Sequence, residues 1–222
     1  MRICYILPSR SRVEKFFKTI ENIEDMSYSD NFFIIAKLDE DDETMNTDEV
    51  KERLKDFSTV TVKWGLSKNK VHACNRGLED LPECDIIVLM SDDMRWTLFG
   101  FDGHIREAFT KHFPELDGVT HFPDSHAKER TMTLSIMGAN LYKKLGYLYH
   151  PSFLSVYADN HLTEMTKAMG KYVFVNKRIF DHFHTGWNMA EWDAQYRKTE
   201  SPEFYKKDKE TFDKLKAANF GL

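Results

Sequence analysis

The chain has 222 residues, of which 41% are hydrophobic and 30% charged, and its formal net charge is −5. That length supports one substantial core, the acidic balance leaves no overall basic footprint for nucleic acid, and no apolar run approaches the ~20 residues that span a bilayer. Three scattered cysteines (Cys4, Cys74, Cys84) lack CxxC spacing, and the opening MRICYILPSRSR is too short and too charged for a signal peptide. A reduced, cytoplasmic protein is the expectation.

RICYIL (2–7) is the first strand-like run, stopped by Pro8, and Val13, Phe16, Phe17, Ile20 and Ile23 then recur at helical spacing over 12–23. NFFIIAKL (31–38) reads as the second strand, and Val50, Leu54 and Phe57 mark a helix over 47–57. STVTVKW (58–64) is the third strand, a helix over 69–80 carries Val71, Cys74 and Leu78, and CDIIVLM (84–90) is the fourth strand. This alternation predicts right-handed βαβ units in an open parallel sheet covered by helices, with ligands at the carboxyl ends of the strands.

The second half is less regular. A helix is expected near 101–112, strands near 117–122 and 133–138, and a short helix ending at Gly146. A further helix closes at Gly170, two short strands fill 171–184, and the charged, aromatic tail is helical. The polar segment 125–133 has no apolar periodicity and is the expected mobile loop, from which Lys128 or Arg130 would reach phosphate. Neither repeats nor a linker are evident, so one domain is expected.

The strand ends carry PSR (8–10), DEDD (39–42) and SDDM (91–94). Two carboxylate clusters on one sheet edge repel each other unless a cation lies among them. A hard divalent ion such as Mg²⁺ or Mn²⁺ takes such oxygen ligands, usually with a diphosphate. A turn or helix cap explains the adjacent aspartates equally well from spacing alone. Neither a GxxxxGK[ST] loop nor a GxGxxG follows the first strand, which argues against P-loop enzymes and dinucleotide dehydrogenases.

Taken together, ILPSR at the first strand, Asp39 closing the second, SKNKVHACNRGLE (67–79) and IIVLMSDDM (86–94) resemble the GT-A-fold glycosyltransferases, particularly family 2-like enzymes, over roughly residues 2–185. The resemblance implies an α/β fold: a single GT-A, Rossmann-like domain (1–188) with a mostly parallel sheet, and a C-terminal helical extension (189–222) packed on it. Asp92 and Asp93 match that family's DxD-type metal motif in shortened form. The resemblance places Pro8, Ser9 and Arg10 along the nucleotide pocket and gives Asp39 a hydrogen bond from the base, typically uracil. Asp41, Asp42 and Glu43 are expected as a solvated acidic loop. Lys68 or Lys70 would face the nucleotide, Asn75 matches an asparagine of the same helix, Asp92 would contact the ribose or the metal's water shell, and Asp93 would ligate the metal.

Asp159, before a helix, matches the family's catalytic base, which takes the acceptor hydroxyl's proton in an inverting transfer. A place at a helix N-terminus is compatible with that role and would keep its pKa low. Glu164 is a weaker candidate, and His161 would neighbour the acceptor or simply be structural. His182 and His184 would project from one strand face roughly 6.6 Å apart. A histidine here resembles the late metal ligand of many GT-A enzymes, and mixed oxygen and nitrogen ligation favours Mn²⁺ over Mg²⁺. Trp187, Trp192 and Asp193 would lie near the mouth, where core packing explains the tryptophans equally well.

The implied activity is metal-dependent transfer of a sugar from a nucleotide-diphosphate sugar, a UDP-sugar first, to a hydroxyl acceptor. The alternatives are a sugar-phosphate nucleotidyltransferase and a non-catalytic sugar- or nucleotide-binding domain. A nucleotidyltransferase would carry glycines in the loop after strand one, which PSRSRVEK lacks. The compact chain disfavours a processive polysaccharide synthase, and its acidity counts against a DNA acceptor.

Overall fold

The computed structural model describes residues 1–124, 126–183 and 193–222. The strands in chain order are β1 (Ile3–Pro8), β2 (Phe32–Asp39), β3 (Val60–Gly65), β4 (Ile86–Leu89), β5 (Met94–Trp96), β6 (Val119–His121), β7 (Ser135–Gly138), β8 (Tyr172–Phe174) and β9 (Phe180–His182). The helices are α1 (Val13–Met26), α2 (Asp48–Leu54), α3 (Lys70–Asn75), α4 (Phe101–His112), α5 (Ala139–Leu145), α6 (Ala158–Ala168), α7 (Ala194–Thr199) and α8 (Pro202–Ala217). Seven strands form one sheet in the order β3-β2-β1-β4-β7-β6-β8. The first four are parallel, as the βαβ alternation predicts, and β7 runs antiparallel to both β4 and β6.

Strand alternation divides the core into two layers. Ile3, Tyr5 and Leu7 of β1, with Ile34, Ala36 and Leu38 of β2, face α1, α2 and α4. Cys4 and Ile6, with Phe33 and Ile35, face α3, α5, α6 and α8. Burial on both faces is why these strands read as continuous apolar runs. On α1, Phe16, Phe17, Ile20 and Ile23 form the buried stripe, consistent with their spacing. Helix α3 is shorter than the expected 69–80. Asn69 caps its start by accepting from His72 N at 2.8 Å, and the chain leaves it at Arg76, just before Gly77 in the left-handed region at φ +66°.

Strand β5 has no counterpart in the sequence expectations. Its three residues alternate without an apolar run, and Trp96 is buried by stacking on Phe101 with ring centroids 3.7 Å apart. It pairs antiparallel with β9, with Met94 opposite His182. At the other end of the chain, Asp208 of α8 is fully buried, and its carboxylate accepts from the backbone N–H groups of Leu154, Ser155 and Val156 at 2.8, 2.8 and 2.9 Å. That clamp fixes the segment leading into α6. Among the described residues, no helix is long and apolar enough to cross a membrane.

Candidate active site

The carboxyl ends of β1, β2 and β4 open onto a cleft of about 480 Å³, within the range of small-molecule sites. Pro8, Ser9, Arg10, Asp39, Lys68, Lys70, Asp92, Asp93, Asp159 and His182 all line it. His184, Trp187 and Trp192 lie outside the described residues.

Adjacent aspartates after β4 are tolerated because each has its own partners. Asp92 accepts from Ser9 Oγ at 2.7 Å and from Arg12 Nη1 at 2.9 Å. Burial pushes its carboxyl up, with Arg12 pulling against burial and Asp93 adding to it. Asp93 faces the other way. Its Oδ2 accepts the Tyr196 hydroxyl, while its buried Oδ1 accepts no hydrogen bond among the described residues and lies 3.4 Å from His182 Nε2. Against the desolvation of burial, His182, Ser91 and Tyr196 hold Asp93 well below the usual carboxylate range. The β5–β9 pairing creates this contact. Phe183 N donates to Asp93 O at 2.8 Å, which aligns His182 beside the aspartate.

Arg12 is a hub that the sequence reading missed. Besides Asp92 it makes a forked pair with Asp193 through Nε and Nη2 at 2.8 and 2.9 Å, and it lies 4.1 Å from the centre of the Tyr196 ring. Asp193 also caps α7, accepting from Tyr196 N at 2.8 Å. The C-terminal segment thereby closes one wall of the cleft. Asp124 was missed as well. It accepts from His126 N, Ala127 N and Thr133 Oγ1, stitching the loop expected to be mobile, and it lies 3.9 Å from His182 Nδ1. Lys128 and Arg130 of that loop are exposed and do not line the cleft.

At the opposite end, Asp39 accepts from Arg10 Nη1 at 2.7 Å, Ser67 Oγ at 2.5 Å and Arg76 Nη2 at 3.2 Å. A carboxylate offers about four acceptor positions, so one remains for a ligand. Asp41 is exposed and shares Arg10, as a solvated loop predicts. Asp42 corrects that expectation. It is only 3% exposed and accepts from Ser11 N and Thr44 Oγ1 at 2.7 and 2.8 Å.

Lys68 and Lys70 line the cleft, their side chains make no hydrogen bond or ion pair with the described residues, and Lys70 bears electrostatically on Asp159. Asn75 does not line it. Its Nδ2 donates to Tyr149 O at 2.6 Å, and its Oδ1 accepts from Leu148 N and Tyr149 N at 2.9 and 3.1 Å, so the amide is committed to holding that turn.

Asp159 is the second residue of α6, and the N-cap is Tyr157, held in the left-handed region at φ +59°. Its Oδ1 accepts from Asn160 N at 2.8 Å. Contrary to the low pKa expected at a helix start, burial raises this carboxyl, and the Asn160 N–H, Lys70 and His182 only partly offset that. Glu164 pairs with Lys216 at 2.7 Å and does not line the cleft. His161 is buried beside His150, Phe153 and Phe220, and neither ring nitrogen is hydrogen-bonded among the described residues, as in a core residue.

Among the described residues, no group of three His, Cys, Asp or Glu side chains is gathered as a metal site. What the described residues do present is a pair of candidate ligand atoms, Asp93 Oδ1, which accepts no hydrogen bond among them, and the His182 imidazole 3.4 Å away. That pair suits a divalent ion whose remaining ligands come from substrate and water.

No protein-family profile matches the sequence, and no curated protein sequence matches it. Solved structures do. The chain superposes with TM-score 0.66 and 15% identity on S. aureus TarS 1–349 in complex with UDP-GlcNAc, over 93% of this chain and 64% of that one. It matches the mannosyltransferase PcManGT from Pyrobaculum calidifontis, in complex with GDP-Man and Mn²⁺, with TM-score 0.61 and 15% identity over 80% and 55% of the two chains. A 4-diphosphocytidyl-2C-methyl-D-erythritol synthase from Anaerococcus prevotii DSM 20548 matches at TM-score 0.53 and 14% identity, over 79% and 86%. The chain spans 36% of the S. aureus TarS chain in one structure and 64% of TarS 1–349 in another. The fold is that of the GT-A glycosyltransferases.

Proposed function

We propose that this chain is a cytoplasmic, metal-dependent inverting glycosyltransferase that moves a sugar from a nucleotide-diphosphate sugar, a UDP-sugar first, to an acceptor hydroxyl. Residues 1–188 form the transferase domain in this reading, and 189–222 pack on it as an extension. The observation that carries it is the buried Asp93 Oδ1, which accepts no hydrogen bond among the described residues and faces His182 Nε2 at 3.4 Å, where β4 delivers it to the cleft. A bare carboxylate oxygen in that position calls for a cation. Asp93 and His182 would hold Mn²⁺, or Mg²⁺, with His184 as a further candidate ligand. Bound there, the ion supplies Lewis-acid neutralisation of the negative charge that develops on the departing diphosphate.

The chain's own residues account for the rest. Lys68 and Lys70 add positive charge where the phosphates lie. Arg12 and Ser9 hold Asp92 toward the ribose side, and Asp39 accepts an N–H of the base. Asp159 takes the proton of the acceptor hydroxyl as its oxygen attacks the anomeric carbon. The same burial that raises the Asp159 carboxyl makes it a stronger base near neutral pH.

The likeness to a 4-diphosphocytidyl-2C-methyl-D-erythritol synthase supports one second reading, a nucleotidyltransferase acting on a sugar phosphate. The glycine-free PSRSRVEK loop weighs against it. Thermal unfolding with a nucleotide panel, with and without Mn²⁺, tests the proposal. A ligand at a hundredfold excess over its dissociation constant stabilises the folded state by about 2.7 kcal/mol. A shift with UDP or a UDP-sugar that requires Mn²⁺ and is lost in Asp93→Ala is the expected result. A shift with UTP or CTP alone, and release of pyrophosphate with a sugar phosphate, would replace the reading with the second one. No shift with any nucleotide would refute both.

A further inference from the structure

Tyr157, the N-cap of α6, holds a left-handed backbone at φ +59°, a region that glycine enters freely and a bulky side chain does not. Two contacts from α8 keep it there. Asp208 binds the backbone N–H groups of Leu154, Ser155 and Val156, and the Phe212 ring packs on Tyr157 with centroids 5.6 Å apart. Backbone strain persists only where the surroundings over-determine it, and it gathers at functional sites. Asp159 lies in the turn that this cap begins. The same helix lends the cleft two rings, Phe204 and Tyr205, which line it together with Tyr157 and Asp159. Tyr205 meets Tyr157 edge to face, with centroids 6.3 Å apart and planes at 83°, yet the residue stays 44% exposed. Burial, then Glu200 and Asp159, push its phenol up, so the ring stands within electrostatic reach of Asp159.

The charge of this wall is one-sided. Among the described residues, positions 155–160 and 199–205 bring the carboxylates Asp159 and Glu200 to the cleft and no lysine or arginine, whereas the lysines and arginines that line it all come from positions 10–70. We propose that Tyr157, Phe204 and Tyr205 form the acceptor subsite and that it takes a neutral carbohydrate, one sugar ring lying against Tyr205 while a hydroxyl faces Asp159. The inference rests on the glycosyltransferase reading above. A pyranose has an apolar C–H face that packs on an aromatic ring, and a rim of hydroxyls that carboxylates and phenols can bond. A phosphate-bearing acceptor would instead meet two carboxylates with no cation of the same wall to offset them. Building the subsite on α8 also gives a reason for the clamp that ties that helix to the start of α6.

The test is calorimetric titration of the full chain, in Mn²⁺ and excess UDP, with cellobiose, maltose, glucose 6-phosphate and a short oligothymidylate. The native chain is compared with Tyr205→Ala and Tyr205→Trp, and circular dichroism melts establish that each variant is folded. A neutral disaccharide is expected to bind, and both anions to bind at least about tenfold more weakly. Tyr205→Ala should lose about tenfold for the disaccharide, Tyr205→Trp, which keeps an aromatic face, should restore it, and UDP affinity should be the same in all three. A tyrosine that merely props α6 would instead lower the melting temperature and UDP affinity together. That result, equal or tighter binding of either anion, disaccharide binding unchanged in folded Tyr205→Ala, or no disaccharide bound while UDP binds would each overturn the inference and leave the glycosyltransferase reading intact. If neither UDP nor any saccharide binds, the donor-binding reading fails and this inference with it.

Discussion

Lys37→Met should make the protein more stable at neutral pH, and the reason can be worked from its surroundings. Burial lowers the Lys37 ammonium from 10.5 to about 8, with the neighbouring cations Arg76 and Lys63 contributing in the same direction. At 1.36 kcal/mol per pH unit, this corresponds to about 3 kcal/mol against the charged folded form at pH 7. Methionine has a similar length, no charge and a flexible thioether that fills irregular space. The substitution relieves that penalty and leaves Cys74 O, which accepts from Lys37 Nζ at 3.0 Å, without that hydrogen bond, a loss of about 1 kcal/mol. The net gain is about 1–2 kcal/mol, or roughly 2–8 °C in Tm for a chain of this length.

The pH dependence supplies the sharper test. Because the folded-state pKa lies below the unfolded one, the penalty is complete below pH 8. It fades as pH rises from 8 towards 10.5 and is absent above that. Urea unfolding of both proteins at pH 7, 8.5 and 10, with reductant to keep the thiols free, should show the advantage of Lys37→Met shrinking steadily. Other lysines, tyrosines and cysteines titrate in both proteins and cancel in the difference. If Lys37→Met were less stable at pH 7, or if the difference stayed constant with pH, the view of Lys37 as a strained buried cation would be refuted.

The other predictions are as follows. Asp208→Ala removes the acceptor of three backbone N–H groups and should cost about 3 kcal/mol in urea unfolding, with faster hydrogen exchange at Leu154, Ser155 and Val156. His121 and His161 are each lowered to about 4, chiefly by burial. The folded state thus favours their neutral forms, and stability should be complete above pH 6.5 and fall as pH drops from there towards 4. His161→Phe should flatten part of that slope in Tm-against-pH curves. Asp159→Asn should lower kcat by about 10²–10⁴-fold with donor affinity retained, measured by turnover and calorimetry. The acid limb of native kcat/KM should lie above the ordinary carboxylate pKa, because the base must be deprotonated and burial raises it.

Legibility in the sequence followed the range of the forces involved. Strands β1 to β4 could be read because burial on both faces demands continuous apolar runs. Strands β5 and β9, at three residues each, owe their pairing to contacts across the fold, and only the second was expected. The aspartates at strand ends and at the start of α6 announce themselves by position, and the structure gathers Asp39, Asp92, Asp93 and Asp159 around one cleft. Arg12 carried no such signal, since its partner Asp193 is 181 residues away along the chain. Lys37 did carry one: a lysine inside the apolar run FFIIAKL is hard to reconcile with a buried strand unless something meets it.

The pair Asp41 and Asp42 shows most clearly why a residue's type and neighbours do not decide its environment. In sequence the two are interchangeable members of DEDD. In the structure Asp41 has a side chain 58% exposed, while Asp42 is 3% exposed. The difference comes from a backbone event 31 residues earlier, where Ser11 turns into the left-handed region at φ +59° and aims its N–H at Asp42. Thr44 adds its N–H and hydroxyl from the following turn. Buried among donors, Asp42 locks the β1–α1 turn to the β2–α2 loop, and that lock holds Arg10 beside Asp39. The acidic loop that reads as solvated surface therefore contains a structural support of the Asp39 end of the cleft.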